Sequence, residues 1–428
     1  MLDVELIRKD PEKVKDGIAK KNVDTSVVDE FLSLDKSWRE LVKSTDEKRA
    51  LLNKFSKERN IEEAKKVKEQ IKSEEARLPE LEAQRLKTLR SIPNLPLPEV
   101  AVGKDARENK TLREVGEKPK FDFPAQDYVE LSEKLDLIDT ARAAKVSGSR
   151  FGYLKHEAPL LEFALIQLAL NLLTSEKEIG KLIKANKLNI PAKAFIPVIP
   201  PVLIKPEAMQ AMGYMERGGD EIYQIEKDQL YLVGTSEQSM GPMHMNENFQ
   251  KDSLPHRHIG FSTCFRREAG SYGKDTKGIL RVHQFDKLEM FVTCAPETSQ
   301  DEHKLLLAIE EKLMQMLELP YRVLDICSGD LGDPAAAKYD IEVWLPGQNE
   351  GSGQYRETHS ASNTTDYQAR RLNVKIRPDN IYVHMLNGTC FAIGRILIAI
   401  IENYQMKDGT VKVPKALQQY LNFKEIKR

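Results

Sequence analysis

The sequence predicts an α+β protein in which an N-terminal antiparallel α-helical coiled-coil arm precedes a domain of mixed strands and helices. Two observations support this prediction. Residues 31–90 contain no glycine and a single proline, and their apolar residues repeat in heptads. From residue 104 onward glycine and proline return, and short strand-like runs alternate with helical ones. We therefore expect an arm domain at 1–103 and a second domain at 104–428.

The arm is predicted from two heptad seams that fit each other in one register. The seams run over 31–55 and 64–85, and in antiparallel pairing the numbers of facing residues all sum to 119. Thr45 then faces Glu74, and Lys48 lies in the adjacent layer. The apolar stripe is two residues wide per heptad, which is narrower than a helix on a globular core needs. This favours a projecting arm over a helical hairpin packed on the domain.

Composition restricts the class of protein. The 428 residues carry a formal net charge of -1 and are 40% apolar, which is enough for a sizeable core and argues against wholesale disorder. The four cysteines lie far apart without a CxxC pair, so neither a disulfide scaffold nor a zinc site is expected. The N-terminus is charged from its third residue, and the apolar runs at 160–173 and 393–401 are short and interrupted by polar residues. We therefore expect a cytoplasmic protein without a membrane partner.

A first group of candidate site residues lies in segment 261–292, where two strand-like runs flank a glycine- and charge-rich loop at 270–278. Alternation places Arg266 and Glu268 on one face of the first run. On one face of the second run it places Arg281, His283, Phe285, Lys287 and Glu289. Guanidinium groups for phosphate, a flat ring for a base and carboxylates for an amine suit a nucleotide site. A solvated sheet face with salt-bridge ladders is an equally weighted alternative.

Two further segments carry polar residues at suggestive spacing. Thr235 and Glu237 would share a strand face and could hold an ammonium group, although this pattern is more often a surface strand. Glu357, on a predicted strand with Ser360 and Asn363 following, could bind a divalent cation together with bridging phosphates. The neighbouring His359 has no second His or Cys at ligand spacing, which favours a hydrogen-bonded structural histidine.

The last segment with chemical content is 384–405. Asn387 and Gly388 predict a turn, after which an apolar helix begins. Arg395 interrupts that helix near its start, and a buried charge is costly unless it is paired. The residue indicates either an anionic ligand or a structural ion pair, at similar weight.

Together these segments resemble class II aminoacyl-tRNA synthetases, and among them the seryl-tRNA synthetase family, over nearly the whole chain. FIPVIPPVL at 195–203 is similar to the first motif of the class, with Pro201 at the interface proline. CFRREAG and RVHQFDKLE are similar to the second motif, and LNGTCFAIGRILIAIIENYQ to the third. The resemblance implies an antiparallel sheet flanked by helices and a homodimer. It also implies an arm that reaches the long variable arm of serine tRNA.

The resemblance also implies residue roles. It assigns serine binding to Thr235, Ser236, Glu237, Arg266, Glu289, Asn387 and Thr389. It assigns ATP binding to Arg266, Arg267, Glu268, Arg281, Phe285, Glu357, Thr358, His359, Ser360 and Arg395. Arg266, Glu357 and Arg395 form the catalytic set, and Glu357 and Ser360 would hold Mg²⁺ through ATP.

The implied activity is activation of L-serine with ATP to seryl-adenylate, followed by transfer to the 3′ end of serine tRNA. Whether selenocysteine tRNA is also charged stays open. One alternative is a paralogue that loads an amino acid onto a non-tRNA acceptor, and a second is a non-enzymatic coiled-coil scaffold. The arm counts against the first alternative. Residues 31–92 hold 16 Lys and Arg against 12 Asp and Glu, so a basic arm of +4 accompanies an acidic remainder of -5.

Overall fold

The computed structural model describes residues 1–269 and 277–428, so most of the loop predicted at 270–278 lies outside the described residues. The chain divides into two compact units, Met1–Pro96 and Leu97–Arg428. This division falls seven residues before the boundary expected from the sequence. Within the described residues no single helix is long and apolar enough to cross a membrane; helices 157–173 and 176–185 meet that criterion only as a pair bent by 72°.

Fourteen α-helices lie in the described parts of the chain. They are α1 (Val4–Lys9), α2 (Pro11–Ala19), α3 (Ser26–Lys57), α4 (Ile61–Ser91), α5 (Tyr128–Lys134), α6 (Thr140–Ser147), α7 (Glu157–Leu173), α8 (Glu176–Ala185), α9 (Pro206–Met212), α10 (Met215–Gly218), α11 (Glu237–Met240), α12 (Ser299–Met316), α13 (Tyr367–Leu372) and α14 (Ile393–Asn403).

The same described ranges contain eighteen β-strands. They are β1 (Lys110–Val115), β2 (Ile138–Asp139), β3 (Tyr153–Leu154), β4 (Ile196–Val198), β5 (Leu203–Ile204), β6 (Gln224–Ile225), β7 (Leu230–Leu232), β8 (Asn248–Gln250), β9 (His256–Phe265), β10 (Gln284–Cys294), β11 (Tyr321–Asp325), β12 (Ala337–Leu345), β13 (Gln354–Asn363), β14 (Lys375–Arg377), β15 (Ile381–Tyr382), β16 (His384–Ala392), β17 (Val411–Lys412) and β18 (Glu425–Ile426).

In the first unit, α3 and α4 form the predicted antiparallel hairpin. The Thr45 hydroxyl donates a hydrogen bond to the Glu74 carboxylate at 3.2 Å, and the Lys48 ammonium donates to the same group at 2.8 Å. These contacts confirm the predicted register, including its polar layers. The Asn60 side chain accepts a hydrogen bond from the Glu63 amide at 3.3 Å and so caps the start of α4.

A buried carboxylate ties the end of this hairpin to the first helix. The Asp35 side chain has no solvent exposure and accepts hydrogen bonds from Arg8 at 2.8 Å, Arg39 at 3.0 Å and Arg85 at 2.7 Å. The Arg85 guanidinium also lies 4.7 Å from the Trp38 ring centre. Although burial opposes ionisation, the hydrogen bonds from the arginines lower the pKa of Asp35 to about 2.

The second unit is built on an eight-stranded sheet with the order β1-β11-β12-β13-β16-β10-β9-β4. Neighbouring strands are antiparallel except for β4, which runs parallel to β9. Helices α7, α12 and α14 bury their apolar side chains in the core of this unit. The antiparallel sheet and flanking helices implied by the resemblance are therefore confirmed.

The strand boundaries correct three local predictions. β9 ends at Phe265, so Arg266 and Glu268 follow the strand rather than share one of its faces. β10 begins at Gln284, so Arg281 and His283 precede it. Similarly, β7 ends at Leu232, and the chain turns into α11 at Glu237. All six residues of these predictions, Thr235 and Glu237 among them, lie just outside the strands, where the chain enters or leaves the sheet. There the direction of a side chain is not fixed by the two-residue alternation of a strand.

The turn predicted at Asn387–Gly388 is wrong, because both residues lie inside β16. A β-carbon at position 388 would lie 3.1 Å from the Met290 side chain and 3.2 Å from the Glu310 carboxyl. Glycine is therefore favoured here by close packing behind the sheet rather than by a turn. The helix that follows, α14, begins at Ile393, and Arg395 is its third residue, as predicted.

Replacing Asp35 with alanine is expected to destabilise the hairpin by about 3 kcal/mol, because the arginines would lose a common buried partner. Amide hydrogen exchange of the full chain measures this, and protection in α3 and α4 should fall by about a hundredfold. Asp46→Ala is the matched control, since the exposed pair of Asp46 with Arg49 contributes at most about 1 kcal/mol. Equal effects of the two substitutions would contradict the assigned role of Asp35.

Candidate active site

Two adjoining cavities lie against the sheet of the second unit. The larger has a volume of about 460 Å³ and is lined by Glu237, Glu289 and Asn387 among others. The smaller has a volume of about 260 Å³ and includes Phe285 on its wall. Both cavities are lined by Arg266, Glu268, Arg281, Lys287, Lys338, Ser360 and Arg395. Because the cavities share so many walls, they form one candidate site with two compartments.

Strand β10 supplies one wall of this site through its alternation. Phe285, Lys287 and Glu289 point towards the cavities, whereas Leu288 and Met290 are fully buried in the core. The predicted grouping of the three polar and aromatic residues is therefore confirmed, and the structure gives its cause. One face of β10 must be apolar because it packs against the helices, so polar and aromatic side chains can lie only on the face that lines the cavities.

Glu237 is a buried carboxyl at the start of α11. It accepts hydrogen bonds from the Tyr214 hydroxyl at 2.9 and 3.0 Å and from the Gln368 amide at 2.8 Å. Burial, together with the nearby Glu289 carboxylate, raises the pKa of Glu237 to about 7. The two carboxyls therefore favour the arrival of a positive charge, which would relieve their mutual repulsion.

Lys287 occupies the space between two of the expected ligand-binding groups. Its ammonium forms an ion pair with Glu289 and donates a hydrogen bond to the Thr235 hydroxyl at 3.2 Å. Burial still raises the pKa of Glu289 above its ordinary value, although Lys287 opposes this shift. The position between Thr235 and Glu289 is thus one that already suits an ammonium group.

A guanidinium and an aromatic ring lie together where the two compartments meet. The Arg266 guanidinium lies 5.3 Å from the Phe285 ring centre, and its Nε donates a hydrogen bond to the Gly234 carbonyl at 3.1 Å. Nearby, Arg281 donates a hydrogen bond to the Glu268 carboxylate at 2.8 Å. This is a rigid, positively charged wall beside a flat ring, which suits a phosphorylated base.

Arg395 and Glu357 define the other end of the smaller compartment. The Arg395 guanidinium donates a hydrogen bond to the Glu357 carbonyl at 2.8 Å and lies 3.6 Å from its carboxylate. Although desolvation by the surrounding protein opposes ionisation, Arg395 and Lys338 lower the pKa of Glu357. The Glu357 side chain is still 48% exposed, and Ser360 lines the same compartment. One ionised carboxylate with a hydroxyl suits Mg²⁺ that is also held by substrate phosphates.

The described residues contain no metal site with more protein ligands than this one carboxylate and hydroxyl. Among the residues of 1–269 and 277–428, no group of three or more His, Cys, Asp or Glu side chains has an arrangement that could hold a metal ion.

Most of the residues assigned from the sequence come together, including Thr358 and Thr389 on the wall of the smaller cavity. Three do not line either cavity. Ser236 is fully buried, with its hydroxyl 2.8 Å from another serine hydroxyl of the core. His359 is fully buried and contacts the Thr358 hydroxyl at 2.9 Å, and burial lowers its pKa to about 3. The Arg267 side chain is exposed outside both cavities.

Four residues of the site were not assigned a role from the sequence. Lys287 and Lys338 line both cavities. The sequence pattern placed Lys287 on the correct face of β10 but gave it no role. Tyr214 and Gln368 hold Glu237 in place but lie 23 and 131 residues away along the chain. No local pattern points to them, because their partner is brought near only by the tertiary structure.

Comparison with known proteins gives consistent matches. Residues 1–96 match the family model "Seryl-tRNA synthetase N-terminal domain", and residues 221–404 match "tRNA synthetase class II core domain (G, H, P, S and T)". The serine--tRNA ligase of Dictyoglomus turgidum is 42% identical over 100% of this chain and 99% of its own length.

Solved structures agree with these matches. The seryl-tRNA synthetase from Pyrococcus horikoshii complexed with ATP is similar with a TM-score of 0.88 and 40% identity, covering 100% of this chain and 99% of the other. The cytoplasmic serine-tRNA ligase from Naegleria fowleri in complex with AMP is similar with a TM-score of 0.85 and 32% identity, covering 100% of this chain and 99% of the other.

The raised pKa of Glu237 predicts a pH-dependent stability. The contribution of this group is full below its ordinary pKa of about 4.3 and is lost as the pH rises through about 7. Glu237→Gln should therefore match the parent protein near pH 4 and exceed it at pH 8 by about 3 kcal/mol. Urea unfolding of the second unit across this range measures the difference. The control is the exposed Glu207→Gln, and a Glu237→Gln effect that is the same at both pH values would be contrary to the assignment.

Proposed function

Because this chain belongs to the seryl-tRNA synthetase family, we propose that its two compartments bind serine and ATP side by side. The chain is an ATP-dependent ligase that joins serine to tRNA. The observation that carries the residue assignment is the pair of buried carboxyls, Glu237 and Glu289, next to the Arg266 and Phe285 wall. The match over the full length, including the N-terminal domain, leaves no support for a carrier-loading paralogue or a scaffold.

The larger compartment is proposed to take serine. Glu237, Thr235 and Glu289 would hold the ammonium and hydroxyl groups, with Asn387 on the same wall. Thr389 lines the smaller compartment and would complete the serine pocket from that side. A serine ammonium held between Thr235 and Glu289 would take the position of the Lys287 ammonium, which must then turn towards the phosphates. A site built around a substrate hydroxyl rejects analogues that lack it, because its buried polar groups would be left unpaired.

The smaller compartment is proposed to take ATP. The adenine would stack on Phe285, its amino group would face Glu268, and the phosphate tail would run towards Arg281 and Arg395. Arg266 lies between the compartments and would contact both the α-phosphate and the serine carboxylate. This places the nucleophile and the phosphorus that it attacks on one guanidinium.

The chemistry needs little acid–base assistance. The serine carboxylate is ionised at neutral pH and attacks the α-phosphorus of ATP, and pyrophosphate leaves with the electron pair of the broken bond. Arg266 and Arg395 neutralise the charge that spreads over the phosphate oxygens. Glu357 and Ser360 would hold Mg²⁺, which adds further charge neutralisation when bound. The 3′-terminal ribose hydroxyl of tRNA then attacks the carbonyl of the adenylate and releases AMP.

Ser236, His359 and Arg267 are proposed to act without touching the substrates. Ser236 packs the start of α11 against the core, and His359 orients Thr358 on the wall of the ATP compartment. Neutral His359 suits this position, because burial disfavours the charged imidazole.

The arm and the sheet edge are proposed to bind macromolecules. The net charge of +4 on residues 31–92 supports contact of the arm with tRNA, including the variable arm of serine tRNA. Ile196 and Ile199, on and beside the edge strand β4, are 53% and 85% exposed and lie near Pro201 in sequence. Apolar side chains at a free sheet edge support a homodimer that covers them.

A cytoplasmic location and the charging of selenocysteine tRNA complete the proposal. Charging assays with selenocysteine tRNA test the second of these.

Serine-dependent ATP–pyrophosphate exchange tests the assignment of the site. Arg266→Ala should lower the exchange rate by about 10²–10³-fold, because the transferring phosphoryl group would lose its central cation. Arg113→Ala is the matched control, since this arginine forms a surface ion pair with Glu311 and should leave exchange unchanged. Exchange with another small amino acid but not with serine would exclude the proposed substrate.

A shortened arm separates activation from transfer. Leu41 and Leu78 face each other in the confirmed register, so residues 42–77 can be replaced by a short glycine-rich turn while Asp35 and its arginines remain. Exchange should be unaffected, whereas the charging of serine tRNA should fall by about two orders of magnitude or more. Undiminished charging by the shortened protein would show that the arm is not the tRNA contact.

A further inference from the structure

A third cavity, of about 230 Å³, lies in the second unit behind the wall of the ATP compartment. The two cavities meet at four residues that line both of them, Ile279, Val282, Phe285 and Gly394. Its other walls come from α6, β3, α7 and the segment that includes Phe151. The proposed roles of the chain in serine activation make no use of this space.

Two acidic side chains line the cavity side by side. Glu162, on α7, is 7% exposed and forms a hydrogen bond with the carboxyl of Asp286, on β10. Asp286 also accepts a hydrogen bond from the Thr263 hydroxyl at 2.6 Å. Two carboxyls can share a hydrogen bond only if one of them carries a proton. Burial and the Asp286 charge accordingly raise the pKa of Glu162 to about 8.

No basic side chain lines this cavity among the residues that the structure describes. Its titratable wall groups are Glu162, Asp286 and Tyr153, and the rings of Phe151 and Phe285 lie on the same walls. A carboxyl in a purely structural position would be expected to have a cationic or neutral donor as its partner. Asp286 has such a donor in the Thr263 hydroxyl, whereas Glu162 has only the Asp286 carboxyl among the described residues and otherwise lines the partly aromatic cavity.

We propose that this cavity binds a small organic ammonium ion. The ammonium would replace the shared proton between Glu162 and Asp286, so that one proton is released for each cation bound. The alkyl part would pack against the rings of Phe151 and Phe285, whose faces also attract positive charge. A bare metal ion suits the cavity less well, because it would leave the aromatic walls without a partner and would need more oxygen ligands.

Isothermal titration calorimetry of the full chain with n-butylammonium chloride tests the proposal. At pH 7 we expect one site, with a heat that differs between phosphate and HEPES buffers because a proton is released. Since the free Glu162 must ionise, affinity should rise with pH by up to about tenfold per unit below pH 8. Glu162→Gln should weaken binding by about tenfold or more and abolish the proton release.

Controls separate this cavity from the serine compartment and from unfolding. Glu237→Gln should retain the binding, because it alters only the larger compartment, and the exposed Glu176→Gln should also retain it. Phe151→Leu keeps both carboxyls and should weaken binding by a few-fold through the lost ring. It therefore decides the case if Glu162→Gln does not fold.

The proposal is overturned by any of four results. These are no detectable binding, binding without proton release, undiminished affinity in a folded Glu162→Gln variant, and full competition by sodium chloride at equal concentration. Loss of binding in Glu237→Gln but not in Glu162→Gln would assign the ammonium to the serine compartment. None of these measurements depends on serine activation, so their failure leaves the proposed function untouched.

Discussion

The hydrogen-bonded pairing of β10 with β9 and β16 is the constraint on which the whole candidate site depends. This ladder fixes which side chains of β10 face the core and which face the cavities. A slip of one residue would bury Lys287 and Glu289 among the helices and expose Leu288 and Met290 to the ligand. The apolar core therefore positions the polar site, because both depend on the same register.

A buried ion pair and the buried carboxyls of the proposed serine compartment differ in how their charges are balanced. The Glu302 carboxylate is matched by the Arg257 guanidinium at 2.7 Å, and neither side chain is exposed. In the proposed serine compartment Glu237 lies near Glu289, and the pKa of each is raised. Such a site is less stable than a matched pair, and a cationic substrate would relieve it. Stability and binding thus depend on opposite arrangements of the same groups.

Local patterns predicted the parts of the molecule whose partners are close in sequence or repeat regularly. The heptad register of the arm was correct down to the contact of Lys48 with Glu74, since each heptad layer repeats the same constraint. Predictions from local patterns were wrong for residues whose conformation depends on contacts with residues distant in sequence. The Asn387–Gly388 pair looks like a turn, but packing against Glu310 behind the sheet favours its glycine. Thr235 looked like a strand residue, but the chain had already left the sheet.

Periodicity and residue type predicted the α+β class, the arm and its register, because that information is local to the chain. Candidate site residues also followed from residue type, but their roles came from the resemblance to the family. Only the tertiary structure decided that Tyr214 and Gln368 hold Glu237, and that Ser236 and His359 point into the core. The physical reason is that burial and pairing are properties of space rather than of chain position. The residue type gives the charge of a side chain, but its burial and its partners depend on how segments distant in sequence pack together.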